Sequence, residues 1–343
     1  MSFKVSKAER KSGAICAEKL SAITNEIETA GYAVVEELIS NESCDLLAAA
    51  VMQDADQIRA TRKQTPHEKY TGEGHLQLGL RRYAPFVRAD VIANPLIECV
   101  VAATLGEGAW LGFYNGNVNC PGSTYQPLHF DRPFSWKTPE AAAQDGQNWP
   151  PPSTSLSCSI ALEEITEENG ATEIYPGTHR ETEVAQWPLG ERLSDHPDLL
   201  EKWAPPARMS IPARSVCFRD PRMWHRGVPN PAARPRAMIA ATYHAAKCLH
   251  WRGALVAKLN AETLAQSSAN PALRIMDDGR LGDGRLVFQS DVRDIIEQTD
   301  NPHNVERNVR FVDLPERVNH FLDPQGIGGA RVVTDRELKV VDA

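Results

Sequence analysis

One short stretch sets the interpretation of this sequence: Gln126-Pro127-Leu128-His129-Phe130-Asp131-Arg132-Pro133. Alternate side chains of a β-strand point to the same face of the sheet, so His129 and Asp131 would lie side by side on an extended chain. An imidazole and a carboxylate placed in this way can bind the same metal ion. The stretch therefore predicts a metal site on a strand, with at least one further ligand from elsewhere in the chain.

The candidate for the third ligand is His225, which follows Trp224 at the start of another strand-like segment. Two histidines and one carboxylate form the facial triad of non-heme Fe(II) oxygenases, and this triad leaves coordination positions open for co-substrate and dioxygen. Zn²⁺ also accepts histidine and carboxylate ligands, so the residue types alone leave zinc as an alternative. Ordinary hydrogen bonding of the three side chains, without a metal, is the other alternative.

Further motifs accompany these residues in a fixed order along the chain. They are Glu168-Asn169-Gly170-Ala171-Thr172-Glu173-Ile174-Tyr175-Pro176-Gly177-Thr178-His179, then Trp224-His225-Arg226-Gly227-Val228-Pro229-Asn230, and then Arg236. Together with the segment that begins at Gly31, they resemble the phytanoyl-CoA dioxygenase (PhyH-like) family of Fe(II) and 2-oxoglutarate dependent oxygenases, over residues 31 to 244. The resemblance implies a double-stranded β-helix with His129, Asp131 and His225 as iron ligands, and it favours iron over zinc.

The resemblance also implies residues for the co-substrate, 2-oxoglutarate. Arg236 matches the family's arginine, whose guanidinium would bind the distal carboxylate through two parallel charge-assisted hydrogen bonds. Arg234 would share the same face of an extended segment and stays the alternative. Gln126 and Thr172 stand where related enzymes hydrogen-bond the co-substrate, although a solvent-facing glutamine and an ordinary strand threonine would fit the same positions.

The implied reaction is the oxidation of a small molecule by dioxygen, with release of succinate and CO2. Hydroxylation is expected, or a related oxidation such as desaturation or ring formation, and the family's substrates include natural products. A halogenase would need a small residue in place of the carboxylate, so Asp131 argues against it. The alternative from another class is a jelly-roll protein that binds its metal without catalysis, and release of succinate would distinguish the two.

The hydrophobic pattern predicts a mainly β fold with flanking helices. Leu156, Cys158 and Ile160 alternate with smaller or polar residues, which is the period-two pattern of a strand with one buried face. Further strands are predicted at 32–35, 109–118, 172–175, 208–211, 215–218 and 237–244, and helices at 14–30 and 41–59. Short strands separated by Pro and Gly turns indicate a cupin-like jelly roll, with the N-terminal helices packed against its sheet.

One oxygenase domain is predicted to span residues 1–343. Its parts are a helical N-terminal part at 1–104, the core jelly roll at 105–250 and a C-terminal extension at 251–343. Basic residues concentrate between 59 and 88. This basic segment is interpreted either as a solvated surface or as a lid that offers cations to an anionic substrate group.

Composition and charge narrow the class of partner. The net charge of −8 argues against binding to nucleic acid or to an anionic membrane, because both depend on a basic surface. The seven cysteines include no C-x-x-C pair and are expected to be reduced thiols. The first residues lack the apolar core of a signal peptide, and no apolar run reaches membrane-spanning length. A cytoplasmic location and a small-molecule substrate are therefore expected, and homodimerisation is left open.

Overall fold

The computed structural model describes most of the chain up to Ala245. The described residues are 2–61, 72–80, 88–92, 94–106, 109–187 and 192–245, with the backbone of three short strands that pair as a separate sheet at Leu255–Lys258, Arg285–Phe288 and Arg317–Val318. Apart from these strands, the predicted C-terminal extension lies outside the described residues, as does most of the basic segment at 59–88. No helix in the described ranges is both long and apolar enough to cross a membrane.

Helices gather in the N-terminal part of the chain, as predicted. The described α-helices are α1 (Lys7–Ser12), α2 (Ala17–Ala30), α3 (Asn41–Thr61), α4 (Ala89–Ile92), α5 (Pro95–Leu105), α6 (Pro139–Gln144) and α7 (Pro197–Lys202). The α2 helix ends at Gly31, whose φ of 87° favours glycine. Ile23 and Ile27 of α2 are spaced one helical turn apart, and both are buried in the main hydrophobic core.

The larger of two facing sheets has seven strands, in the order β1-β2-β8-β5-β10-β4-β3. Its strands are β1 (Ser2–Lys4), β2 (Tyr32–Glu36), β3 (His75–Leu80), β4 (Trp110–Asn119), β5 (Ser155–Ala161), β8 (Val216–Arg219) and β10 (Arg236–His244). Every pairing is antiparallel except that of β1 with β2. The predicted strands of this sheet are therefore confirmed to within one or two residues.

The smaller sheet carries the segments around the predicted metal site. Its strands β6 (Glu173–Ile174), β7 (Ala207–Arg208) and β9 (His225–Arg226) pair antiparallel in the order β7-β6-β9, and a bridge between His129 and His225 adds a further segment beside β9. The larger and the smaller sheet face each other, and all but one of their strand pairings are antiparallel. This arrangement is a jelly roll. The prediction of a mainly β jelly roll with flanking helices is confirmed.

The two faces of the large sheet have different surroundings. Leu156, Cys158 and Ile160 are buried in one cluster with residues of α2, α3 and α5, as their alternation predicts. On the opposite face, Ala161 and Cys217 pack with residues of the small sheet in a second cluster. The same inner face carries the polar side chains that reach the site described below.

Two segments differ from the sequence prediction. The segments 136–153 and 186–206 lie outside the predicted helices, but they contain α6 and α7, respectively. Leu193 and Leu199 of the second segment are buried in a cluster with Trp224. This segment therefore packs behind the predicted ligand His225. Its apolar residues, which recur within an otherwise acidic stretch, make these contacts.

Candidate metal centre

The His129–Asp131 motif does not lie on a regular strand, which corrects the prediction. His129 forms a single β-bridge with His225, and Asp131 lies in the bend that follows. The flanking residues Pro127 and Pro133 have no N–H group, so the ladder cannot extend through them. The backbone N–H of Asp131 instead donates to the carbonyl of Pro221 at 2.8 Å, which fixes the bend against the turn before β9.

The structure brings the three predicted ligands together. Nε2 of His129 lies 3.6 Å from Oδ1 of Asp131, and Nε2 of His225 lies 3.4 Å from the same oxygen. The three ligand atoms lie within 4.8 Å of one another, although their residues come from a bridge, a bend and a strand. Two imidazole nitrogens and one carboxylate oxygen at this spacing fit a single metal ion, and they form the donor set of the non-heme iron triad.

Hydrogen bonds to the backbone orient both imidazoles. Nδ1 of His129 lies 2.7 Å from the carbonyl oxygen of Pro127, and Nδ1 of His225 lies 2.9 Å from that of Met223. Because a carbonyl only accepts, each Nδ1 carries the hydrogen and each Nε2 keeps its lone pair. This arrangement presents both Nε2 atoms to one point and matches the way in which ligating histidines are held.

The surroundings set the protonation states of the triad. Partial desolvation raises the pKa of Asp131, but the neighbouring His225 and Arg219 outweigh it and hold that pKa well below its usual range. Burial, helped by the charge of Arg219, lowers the pKa of His225 to about 4. Burial lowers the pKa of His129, yet the hydrogen bond and charge of Asp131 leave it raised. Asp131 is therefore anionic and His225 neutral at neutral pH, as metal binding requires.

Trp224 supports the site from behind. Its side chain is completely buried in an aromatic cluster that also contains Tyr175 and Trp203. Its backbone N–H donates to the hydroxyl of Thr178 at 2.9 Å, and its carbonyl accepts from the N–H of Tyr175 at 2.9 Å. The tryptophan is a core residue whose packing fixes the position of the next residue, His225.

Arg236 begins β10 and is 5% exposed, whereas Arg234 is exposed before the strand. Nη2 of Arg236 donates to the carbonyl of Gly170 at 3.0 Å, and its buried Nε has no partner among the described residues. Burial lowers the pKa of Arg236 to about 10, so it stays a cation at neutral pH. A buried guanidinium with a donor to spare fits the carboxylate of 2-oxoglutarate, since an unpaired buried donor costs free energy.

The structure gives different surroundings to Gln126 and Thr172. Oε1 of Gln126 accepts from the N–H of Gly227 at 2.8 Å, and the backbone N–H of Gln126 donates to the carbonyl of Gly227 at 2.9 Å. The glutamine amide therefore fixes the chain two residues after His225 and keeps only its Nε2 for a ligand. Thr172 is half-buried, two residues after Gly170, and its hydroxyl has no hydrogen-bond partner in the described ranges.

Two arginines near the ligands were missed in the sequence interpretation. Arg219, at the end of β8, donates from Nη2 to Oδ2 of Asp131 at 2.6 Å. Arg222 forms a buried pair with Asp220, with Nη2 at 2.7 Å from Oδ2, and this pair shapes the turn that precedes His225. The available signal was the pattern of Val216-Cys217-Phe218-Arg219, in which a charged residue shares the inner face with a buried cysteine.

Comparisons with known proteins agree with the fold. Residues 27–238 match the family described as phytanoyl-CoA dioxygenase (PhyH). The dioxygenase trt7 of Aspergillus terreus is 35% identical over 96 residues, which are 27% of this chain and 31% of that protein. The dioxygenase andF of Emericella variicolor is 25% identical over 164 residues, 46% of this chain and 50% of that protein. The chain therefore spans about a third to a half of the length of these relatives.

Among solved structures, the non-heme alpha ketoglutarate dependent carbocyclase SnoK from nogalamycin biosynthesis is similar in fold. It is 17% identical, with a TM-score of 0.52 over 80% of this chain and 96% of that chain. At this identity the similarity concerns the fold alone. The family match covers all three candidate ligands and Arg236, and on that match the chain belongs to the phytanoyl-CoA dioxygenase family of Fe(II) and 2-oxoglutarate dependent oxygenases.

Proposed function

We propose that this protein is an Fe(II) and 2-oxoglutarate dependent dioxygenase that oxidises a small molecule. The observation that carries the proposal is the convergence of His129, Asp131 and His225, whose ligand atoms lie within 4.8 Å of one another. The buried cation of Arg236 adds a group that suits the co-substrate. The expected outcome is hydroxylation, or a related oxidation such as desaturation or ring formation, with release of succinate and CO2.

Different side chains would bind the iron and the co-substrate. His129 and His225 would bind iron through Nε2, because each Nδ1–H is committed to a backbone carbonyl. Asp131 would bind through Oδ1, the oxygen that faces both imidazoles. Arg236 would bind the distal carboxylate of 2-oxoglutarate and so fix its orientation. When bound, iron and 2-oxoglutarate supply the oxidising chemistry, which the protein positions and encloses.

The inner face of the large sheet supports a substrate with hydrogen-bonding groups. Ser157 and Thr242 are partly exposed there, although they lie on central strands, which indicates open space above the sheet. The Oδ1 atoms of Asn115 and Asn117 on β4 are buried and have no partner among the described residues. Buried acceptors without partners are costly unless a ligand pairs with them. We infer that the substrate brings hydroxyl or N–H groups to this strand.

Natural products are the substrate class to screen first, because SnoK, which is similar in fold, is named for its place in nogalamycin biosynthesis. A small, oxygenated natural product would also satisfy the unpaired acceptors of Asn115 and Asn117. Acyl thioesters form a second class, because the family takes its name from one.

The proposal is tested by measuring succinate formed from 2-oxoglutarate by the purified protein with Fe(II) and ascorbate, with and without candidate substrates. We expect slow succinate formation from the protein alone and faster formation with a true substrate. The matched control is His225→Ala, which removes one of the three candidate metal ligands. Succinate formation no greater than that of His225→Ala, with every substrate, would contradict the proposal and favour a metal-binding protein without catalysis.

A further inference from the structure

Arg219 contacts two of the three candidate metal ligands at once. Its side chain is 7% exposed, and Nη2 donates to Oδ2 of Asp131 at 2.6 Å. Its Nη1 lies 3.1 Å from Nδ1 of His225. Since that Nδ1–H already donates to the carbonyl of Met223, the approach of Nη1 is a close contact between two donors. The guanidinium therefore contacts the imidazole through Nη1 and forms its charge-assisted hydrogen bond with the carboxylate through Nη2.

The two oxygens of Asp131 consequently have different surroundings. Oδ1 faces Nε2 of His129 and of His225, at 3.6 and 3.4 Å, whereas Oδ2 accepts from Arg219. A carboxylate can bind a metal through one oxygen or through two. With Oδ2 held by a buried arginine, one oxygen is directed to the metal and the other is directed away from it.

Asp131 needs such support, because the chain around it offers little. It lies in a bend, and its side chain is 37% exposed. Within the described ranges, the other groups beside its carboxylate are the two histidines that share the metal. Arg219, by contrast, ends a buried strand in the middle of the large sheet, where β2 and β5 flank it. Arg219 is thus anchored in the sheet, whereas the candidate ligand that it contacts lies on a loop.

We propose that Arg219 is a positioning residue that holds Asp131 as a one-oxygen ligand and so keeps the remaining coordination positions of the metal open. The identity of the metal rests on the proposed function, but the geometry concerns any divalent ion at this site. Arginine suits the role because one nitrogen of its planar fork makes a directed bond to the carboxylate while another lies against the imidazole. A lysine would supply the charge as a flexible point without this geometry.

The test measures Co(II) binding to the purified full chain by calorimetry, together with the visible spectrum of bound Co(II), without 2-oxoglutarate or substrate. Arg219→Met should weaken Co(II) binding by about 10- to 100-fold, the usual effect of losing a group that orients a metal ligand. It should also change the spectrum, because the carboxylate is free to bind through both oxygens. Arg10→Met is the matched control, since Nη1 of Arg10 also donates to a carboxylate, Oε2 of Glu37 at 2.7 Å, but Arg10 touches no candidate ligand.

A double-mutant comparison separates positioning from general support of the fold. In an Asp131→Asn background, which keeps one oxygen for the metal but has no second carboxylate oxygen for Arg219 to hold, Arg219→Met should cause little further loss of Co(II) affinity. An equal loss in both backgrounds would overturn the proposal, and so would wild-type affinity and spectrum in the Arg219→Met protein. If Arg219→Met does not fold, Arg219→Lys takes its place, with weaker binding and an altered spectrum expected and an unaltered spectrum counting against the proposal.

Because the readout is metal binding, its outcome is independent of turnover. Wild-type Co(II) binding in the Arg219 variants would leave the oxygenase proposal intact. Absence of succinate formation would in turn leave the role of Arg219 measurable.

Discussion

The backbone N–H groups of His129 and His225 donate to each other's carbonyl oxygens, at 3.0 and 2.8 Å. This pair of hydrogen bonds brings the two imidazole centroids to 4.4 Å, although the residues lie far apart in the sequence. Two of the three ligands are therefore placed by the main chain, and replacing either side chain leaves the bridge intact. The metal site can be disabled without loss of the fold.

His129→Ala and His225→Ala should each abolish binding of Fe(II), because two remaining ligands hold a labile divalent ion poorly. We expect one Fe(II) per chain in the wild-type protein, measured by anaerobic calorimetry, and circular dichroism spectra like that of the wild type for both variants. His196→Ala is the control, since His196 stacks on Trp187 and is not among the candidate ligands. Unchanged iron stoichiometry in both ligand variants would show that the triad is misassigned.

Asp131→Gly should leave the fold intact and end substrate oxidation, because it removes the single anionic ligand of the triad. It would also leave the buried cation of Arg219 beside the vacated position, which favours an inorganic anion there. Product analysis with and without chloride measures both effects. Undiminished oxidation in this variant would exclude Asp131 as a ligand.

Arg236→Leu should raise the apparent KM for 2-oxoglutarate far more than it changes iron affinity. Leaving one partner of a buried charge pair unpaired costs about 2 to 5 kcal/mol, and every 1.4 kcal/mol corresponds to about tenfold. Arg234→Leu is the internal control, because Arg234 is exposed while Arg236 is 5% exposed. A loss confined to the Arg234 variant would contradict the assignment of the anchor.

Glu98 on α5 should make the stability of the protein fall as the pH rises. Its side chain is 3% exposed, neither carboxyl oxygen has a partner among the described residues, and burial raises its pKa to about 9. Below the unfolded pKa, both states hold the proton and no penalty arises. Between the unfolded pKa of about 4.3 and the folded pKa, the unfolded chain releases a proton that the folded chain keeps. In this range the free energy of unfolding falls by about 1.4 kcal/mol per pH unit.

Glu98→Gln should therefore stabilise the protein at pH 8 and have a much smaller effect at pH 5. Urea unfolding at the two pH values measures the difference, and Glu18→Gln on the exposed side of α2 is the control. Equal effects of Glu98→Gln at both pH values would mean that the carboxyl is ionised in the folded protein.

The sequence was informative where residue type itself carries the chemistry. His129, Asp131 and His225 could be found because few other uses bring two imidazoles and a carboxylate into family-like motifs, and β5 could be found from its period of two. The contact between Arg219 and Asp131 could not be found, because only the folded chain brings the end of β8 next to the bend that contains Asp131. The bond from Gly227 to Gln126 likewise joins residues 101 positions apart, so its partner is visible only in the folded chain.

The short strand β1 lies outside the range of the family match, which begins at residue 27. It pairs in parallel with Val34, Val35 and Glu36 of β2, and so covers an edge of the seven-stranded sheet. A shortened protein that began at the family boundary would lose β1 and most of α2. It would expose a row of unsatisfied backbone groups, from which sheets of separate molecules can join. Protein produced for crystals or assays should therefore keep β1 and α2, and purification tags belong away from that edge.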